Sequence, residues 1–167
     1  MDESDASVKS LENLRVYSRE HCRKPSNHQK SRMQERPCTE TKEEVMFFDT
    51  DCGGVVHNLA YLRMIETCRT RLAAKMGLDL KTMAETQIFP VLTRTEVDYK
   101  RPAKLGDWLI VRGWLEEVSR ARFWCGFEMI RELDGVILVT ARQALAMVKM
   151  PEGKPLRLPE NWIKLWG

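Results

Sequence analysis

Residues 49–58 read DTDCGGVVHN, which sets two carboxylates, a thiol, two adjacent glycines and an imidazole within ten positions. The opening D-x-D-x-G invites a calcium reading, because a calcium loop needs closely spaced oxygen ligands and a glycine at its sharp turn. The remainder of the stretch does not supply the cage. Val55, Val56, His57 and Leu59 come next, and Ala60 stands where a bidentate glutamate closes such a loop. The alternative is a loop that aims one carboxylate at a bound substrate.

Immediately after the loop the period becomes helical. Tyr61, Ile65, Cys68, Leu72 and Met76 recur at spacings of four, three, four and four, so they stack on one stripe of a helix over 59–76. Asn58 stands where an N-cap belongs and Gly77 where a C-cap does, so the loop runs directly into a helix N-terminus. Arg69 falls on the edge of the buried stripe with Glu66 beside it, and an internal Glu66–Arg69 pair is expected, since a buried charge needs a partner.

Upstream, a short strand is expected over 44–48. Downstream, LDLKTMAET suggests a short helix, after which the period changes to two. In VLTRTEVDYK, Val91, Thr93, Thr95, Val97 and Tyr99 alternate with mainly charged positions, the pattern of a half-exposed strand. WLIVRGWLEEV, ARFWCGFEMIREL and VILVTARQALAMVKM continue as strands, with Asp134-Gly135 as a type I′ hairpin signal, and PENWIKLWG closes as a short helix. The expected fold is α+β, with one long helix covering one face of a curved, mainly antiparallel five-stranded sheet. One helix hides one face only, which leaves sheet surface for another subunit.

Residues 1–41 are polar and lack a sustained period, so they are assigned to a tail and 42–167 to one domain. His21, Cys22 and His28 have no second ligand pair at metal-binding spacing. Five cysteines form an odd set without C-x-x-C spacing, which fits a reducing, cytoplasmic setting. The net charge of +3 arises from interspersed residues of both signs, so nucleic acid is not indicated. No run approaches the roughly 20 apolar residues of a membrane span.

The run FFDTDCGGVVHNLAYLRMIETCR, with VDYKRPAKLGD further along, resembles the hotdog-fold acyl-CoA thioesterases of the 4-hydroxybenzoyl-CoA thioesterase type. The specific part is D-x-D-x-x-G-x-V joined to Y-L-x-x-x-E, and Y-x-x-P-x-x-x-G-D supports it. The resemblance implies a homodimer or homotetramer that hydrolyses acyl-CoA without metal or cofactor. It makes Asp51 the catalytic carboxylate, as general base or nucleophile, and makes a main-chain N–H at Asn58 or an immediate neighbour the oxyanion donor. His57 is a further candidate for contacting the thioester, although some relatives carry an aromatic residue there and a histidine at the position of Asn58. Gly53, Gly54 and Val55 border the expected thioester, the glycines by adopting positive φ and leaving room for it. Asp49 is expected to brace the loop. Tyr61, Ile65 and Phe89 are candidates for the acyl pocket, and Lys100, Arg101, Arg120 and Arg122 for the CoA phosphates. A hotdog domain that binds acyl-CoA or acyl carrier protein without turnover is the alternative, and a hotdog dehydratase is a third, less favoured because His57 lacks the proline-rich flank of those enzymes.

Overall fold

The computed structural model describes residues 35–167. The tail before residue 35, with its His21, Cys22 and His28, lies outside the described residues. The elements run β1 (Cys38–Glu44), a 3-10 turn (Phe47–Asp49), α1 (Asn58–Lys75), α2 (Leu80–Thr86), β2 (Ile88–Tyr99), β3 (Trp108–Val118), β4 (Arg122–Arg131), β5 (Ile137–Lys149), β6 (Lys154–Leu156) and α3 (Glu160–Trp166). All strand pairs are antiparallel, in the order β1-β3-β4-β5-β2, with β6 added to β5.

The helical stripe behaves as its spacing requires. Tyr61, Ile65, Cys68, Leu72 and Met76 are all buried, and Met64 joins them. They pack with Val111, Leu115, Cys125, Phe127 and Met129 from alternate positions of β3 and β4. Helix α1 ends where Gly77 takes φ +82°, the left-handed conformation that glycine adopts without a Cβ penalty. From the other end of the chain, α3 inserts Trp162 edge-on against Phe123, with ring centroids 5.5 Å apart.

Several sequence expectations need correction. The sheet has six strands rather than five, because β6 is only three residues long and too short to show a period. The first strand occupies Cys38–Glu44, not 44–48, so ordered structure begins inside the segment assigned to the tail. CTETKEE has no apolar alternation, and its pairing with β3 holds it in place. Arg36 extends this anchoring, its guanidinium donating to the carbonyl oxygens of Glu116 and Trp166. At Asp134-Gly135 only the glycine has positive φ, so the turn is not type I′; a longer loop closes through Arg131 N–H to the Val136 carbonyl at 2.9 Å.

The strand expected in VLTRTEVDYK is present as β2. It pairs with β5 rather than with its sequence neighbour β3, and so becomes one edge of the sheet. A register shift between Leu92 and Arg94 breaks its strict alternation, and Val91, Leu92 and Tyr99 are all more than 40% exposed. Among the described residues, no helix is long and apolar enough to cross a membrane.

One close approach inside the sheet is testable. Gly126 on β4 faces Trp114 on β3, and a Cβ at residue 126 would stand 2.5 Å from the indole ring. Gly126→Ala therefore forces the ring or the strands apart. A stability loss of about 1–3 kcal/mol is expected, the usual cost of overpacking, and is measured by the denaturant midpoint. An unchanged midpoint would mean that the indole moves aside freely.

Candidate active site

The 49–58 loop is tied at its base and open at its tip. Asp49 is 2% exposed. Its carboxylate accepts from Met46 N–H and from Arg63 Nη2, each at 3.0 Å, and its carbonyl accepts from His57 N–H at 2.8 Å. The two ends of the loop are thereby held together, as the bracing role expected of Asp49 requires. Between them, Thr50 bridges to Val56, and Asp51 N–H donates to the Val55 carbonyl at 2.9 Å.

Asp51 sits at the exposed tip. Its Oδ1 accepts from Gly53 N–H at 2.8 Å, and Oδ2 has no partner among the described residues. The two glycines serve different purposes. Gly54 has φ +72°, as expected, whereas Gly53 does not have positive φ; its missing side chain matters because a Cβ would lie 3.1 Å from Asp51 Oδ1.

The helix start differs in detail from expectation. His57 is the N-cap and Asn58 the first helical residue. His57 Nδ1 accepts from Leu59 N–H at 3.2 Å, and Asn58 Oδ1 accepts from the same N–H at 3.0 Å. With Nδ1 acting as acceptor, a neutral imidazole carries its proton on Nε2. Taking the amides in order, His57 N–H goes to Asp49, Leu59 N–H to these two side chains, and Ala60 N–H to the His57 carbonyl. The Asn58 N–H is left without an acceptor among the described residues. It lies at the positive end of an 18-residue helix.

A cavity of 420 Å³ joins these groups, lined by Asp51, Val56, His57, Asn58, Tyr61, Tyr99, Lys100, Arg101 and Pro102. Six of the expected site residues therefore meet in one place. Tyr61 accepts from Ala103 N–H at 2.8 Å and packs against Tyr99, whose hydroxyl reaches the Asn58 carbonyl at 3.4 Å. Burial pushes the Tyr61 phenol above its ordinary pKa. Lys100 and Arg101 form no ion pair among the described residues, while their main-chain N–H groups both donate to the Leu138 carbonyl on β5, at 2.8 and 3.1 Å. Val56, Tyr99 and Pro102 were not singled out as site residues. Tyr99 and Pro102 are nonetheless the Y-x-x-P of the supporting motif, and that motif was the available signal.

Other expected residues lie elsewhere. Gly53, Gly54 and Val55 belong to the loop without lining the cavity. Arg120 lies in the β3–β4 turn and Arg122 opens β4, where it is in register with Ala146 and, across β5, with Val91. That is the opposite end of β2 from Tyr99, so within one protomer these arginines do not reach the site. Ile65 is fully buried core. Phe89 lines a separate 190 Å³ cavity with Arg69, Ala73, Met76, Met83 and Phe123. Arg69 is about 16 Å along the helix from Asn58 at 1.5 Å per residue. It does pair with Glu66, at 3.3 Å, but its shorter contact is 2.7 Å to Gln143 Oε1 on β5. Among the described residues, no group of three His, Cys, Asp or Glu converges to hold a metal ion.

Comparison with known proteins identifies the family. Residues 45–166 match the family model of the thioesterase-like superfamily. The chain is 32% identical over 118 residues to the acyl-CoA thioesterase YbgC of Haemophilus influenzae, covering 70% of this chain and 85% of that protein. It is 27% identical over 122 residues to a 1,4-dihydroxy-2-naphthoyl-CoA hydrolase of Synechocystis, covering 72% and 88%. The crystal structure of a 1,4-dihydroxy-2-naphthoyl-CoA thioesterase from Synechocystis superposes with a TM-score of 0.67 at 25% identity, covering 77% of this chain and 94% of that one. A DHNA-CoA thioesterase from Staphylococcus aureus gives 0.69 at 25%, covering 77% and 87%. The chain belongs to the thioesterase-like superfamily and is a hotdog-fold thioesterase.

Proposed function

We propose that this protein hydrolyses acyl-CoA thioesters to a free acid and CoA, with Asp51 as the reacting carboxylate and the Asn58 N–H as oxyanion donor. The observation that carries the reading is the pairing of two unengaged groups in one cavity: Asp51 Oδ2 and the first free amide of α1. As a general base, Asp51 takes a proton from water while the water oxygen bonds to the thioester carbon. As a nucleophile, it bonds to that carbon itself, and water later opens the mixed anhydride. Either way the carbonyl oxygen gains negative charge, the C–S bond breaks, and CoA leaves as a thiol once protonated. The helix N-terminus favours that charge through its dipole and its free N–H.

In this reading His57 holds the helix start through its cap, with Nε2–H left to contact the substrate. Lys100 and Arg101 take the CoA phosphates at the cavity rim. The functional unit is a homodimer or homotetramer joined along β2, whose edge carries exposed apolar side chains. A two-fold antiparallel pairing of β2 with its counterpart sets the 88 end of one copy beside the 99 end of the other. Arg120 and Arg122 would then serve the site of the neighbouring copy. The free thiols at Cys38, Cys52, Cys68 and Cys125 fit a reducing, cytoplasmic setting.

Two outcomes test this. Asp51→Asn keeps size and removes the anion, so kcat on an active acyl-CoA should fall by at least about 100-fold with the melting temperature preserved. Asp49→Asn, the matched control, should mainly cost stability, about 1–3 kcal/mol for a disrupted buried acceptor. The opposite pattern, in free-thiol release and thermal melts, would move catalysis to Asp49. Sedimentation at micromolar concentration should give a dimer or tetramer, and a stable, fully active monomer would defeat the shared site.

A further inference from the structure

Tyr61 is a buried phenol with half of its hydrogen-bonding capacity in use. The residue is 3% exposed and its ring is held against Tyr99 with centroids 5.8 Å apart, so the hydroxyl has little freedom of position. The oxygen accepts from Ala103 N–H at 2.8 Å. A phenol also has one proton to donate, and the Tyr61 O–H has no acceptor among the described residues. Leaving a buried donor unused is costly, and Tyr61 is one of the residues that line the cavity with Asp51 and Asn58. Asn58 and Tyr61 are three residues apart on α1, on neighbouring parts of one helix face.

We propose that the Tyr61 hydroxyl is a second oxyanion donor, acting beside the Asn58 N–H on the thioester carbonyl oxygen; this rests on the hydrolytic reading given above. The phenol keeps its proton and donates a hydrogen bond, so no proton transfer is involved. Two features suit it to the task. Burial favours the neutral form, so the donor persists at neutral and mildly alkaline pH. The bond accepted from Ala103 polarises the phenol, and chains of hydrogen bonds strengthen one another in a low-dielectric site. A donor held in place before the reaction needs no reorganisation when charge develops.

A purely structural Tyr61 would anchor the Ala103 loop and do nothing else, so the test must separate anchor from donor. Tyr61→Phe should lower kcat by about 100-fold, the lower end for one lost oxyanion donor. KM should change little, and a thioether analogue of the substrate, which lacks the carbonyl, should bind both enzymes equally. Equal kcat, or a defect confined to KM and thioether binding, would overturn the proposal.

Because the Phe variant also loses the Ala103 contact, a fluorinated tyrosine at position 61 provides the second measurement. Its phenol ionises at lower pH, and the resulting phenolate accepts from Ala103 better but cannot donate. The kcat–pH profile should therefore show an alkaline loss at lower pH than in the unmodified enzyme; an unchanged profile would assign Tyr61 to anchoring alone. Tyr99, Asp107 and Arg131 act on this phenol, and Asp51, His57, Lys100 and Arg101 share its cavity. All are common to both enzymes, so a difference belongs to position 61. If the unmodified enzyme releases no thiol from any acyl-CoA, the hydrolytic reading falls and this one with it. If it is active and Asp51→Asn is not, loss of the Tyr61 effects removes only the second donor.

Discussion

The candidate site depends on one buried carboxylate. Asp49 joins Met46, Arg63 and His57 through its two side-chain oxygens and its carbonyl, and so closes the loop onto the start of α1. Without that closure, the loop tip and the helix N-terminus would have no fixed relation. With it, Asp51 is held outside the tie and Asn58 directly after it. The two aspartates of DTD thus divide the work by burial: the inner one is saturated with partners, and the outer one keeps an oxygen free. Arg63 is about half exposed, so its ion pair is partly screened by solvent. The bonds from the Met46 and His57 amides, both of them to a residue almost wholly out of water, carry more of the closure.

The same division separates the two ends of β2. At the Tyr99 end the strand leads into Lys100, Arg101 and Pro102, and its last side chain packs on Tyr61. At the Ile88 end it borders the second cavity through Phe89 and Pro90. Between them lies a polar bridge, in which Arg69 meets Gln143 and Gln143 reaches Thr95 at 3.4 Å. Gln143 is 2% exposed, so this bridge is part of the floor beneath the strand rather than surface solvation. Of its members, Arg69 also lines the apolar cavity, which shares no lining residue with the cavity beside Asp51.

How much of this was legible in the sequence depends on which interactions are local. The α1 stripe was readable because its five apolar residues are set by helix period alone, and all five are buried. The loop was readable because its chemistry is compressed into ten residues. Non-local pairings were not. Nothing in CTETKEE announces a strand, since β1 exists through its register with β3. VLTRTEVDYK alternates as a half-buried strand should, but its exposure depends on a place at the sheet edge that only the strand order reveals. Arg69 illustrates both cases: its partner Glu66 is one turn away and was expected, while Gln143 is 74 residues distant and was not. Arg120 and Arg122 look like phosphate ligands in sequence because turns expose cations, yet a turn's position relative to a cavity is a property of the whole sheet.

The charges around the cavity also bear on what it accommodates. Most acidic groups nearby are matched: Asp49 with Arg63, and Asp107 with Arg131 at 3.6 Å. Among the described residues, Asp51 has no cation, and Lys100 and Arg101 have no carboxylate, although all three line the same cavity. Had these groups served stability alone, pairing them with one another would have been the simplest arrangement. Their separation suits a ligand that carries both an electrophilic carbon and a strongly anionic portion. An acyl-CoA has that distribution, with its thioester at one end and its phosphates at the other. In the proposed reading the carboxylate avoids the phosphates and the cations attract them, so keeping the two sets apart would let each meet its own part of the substrate.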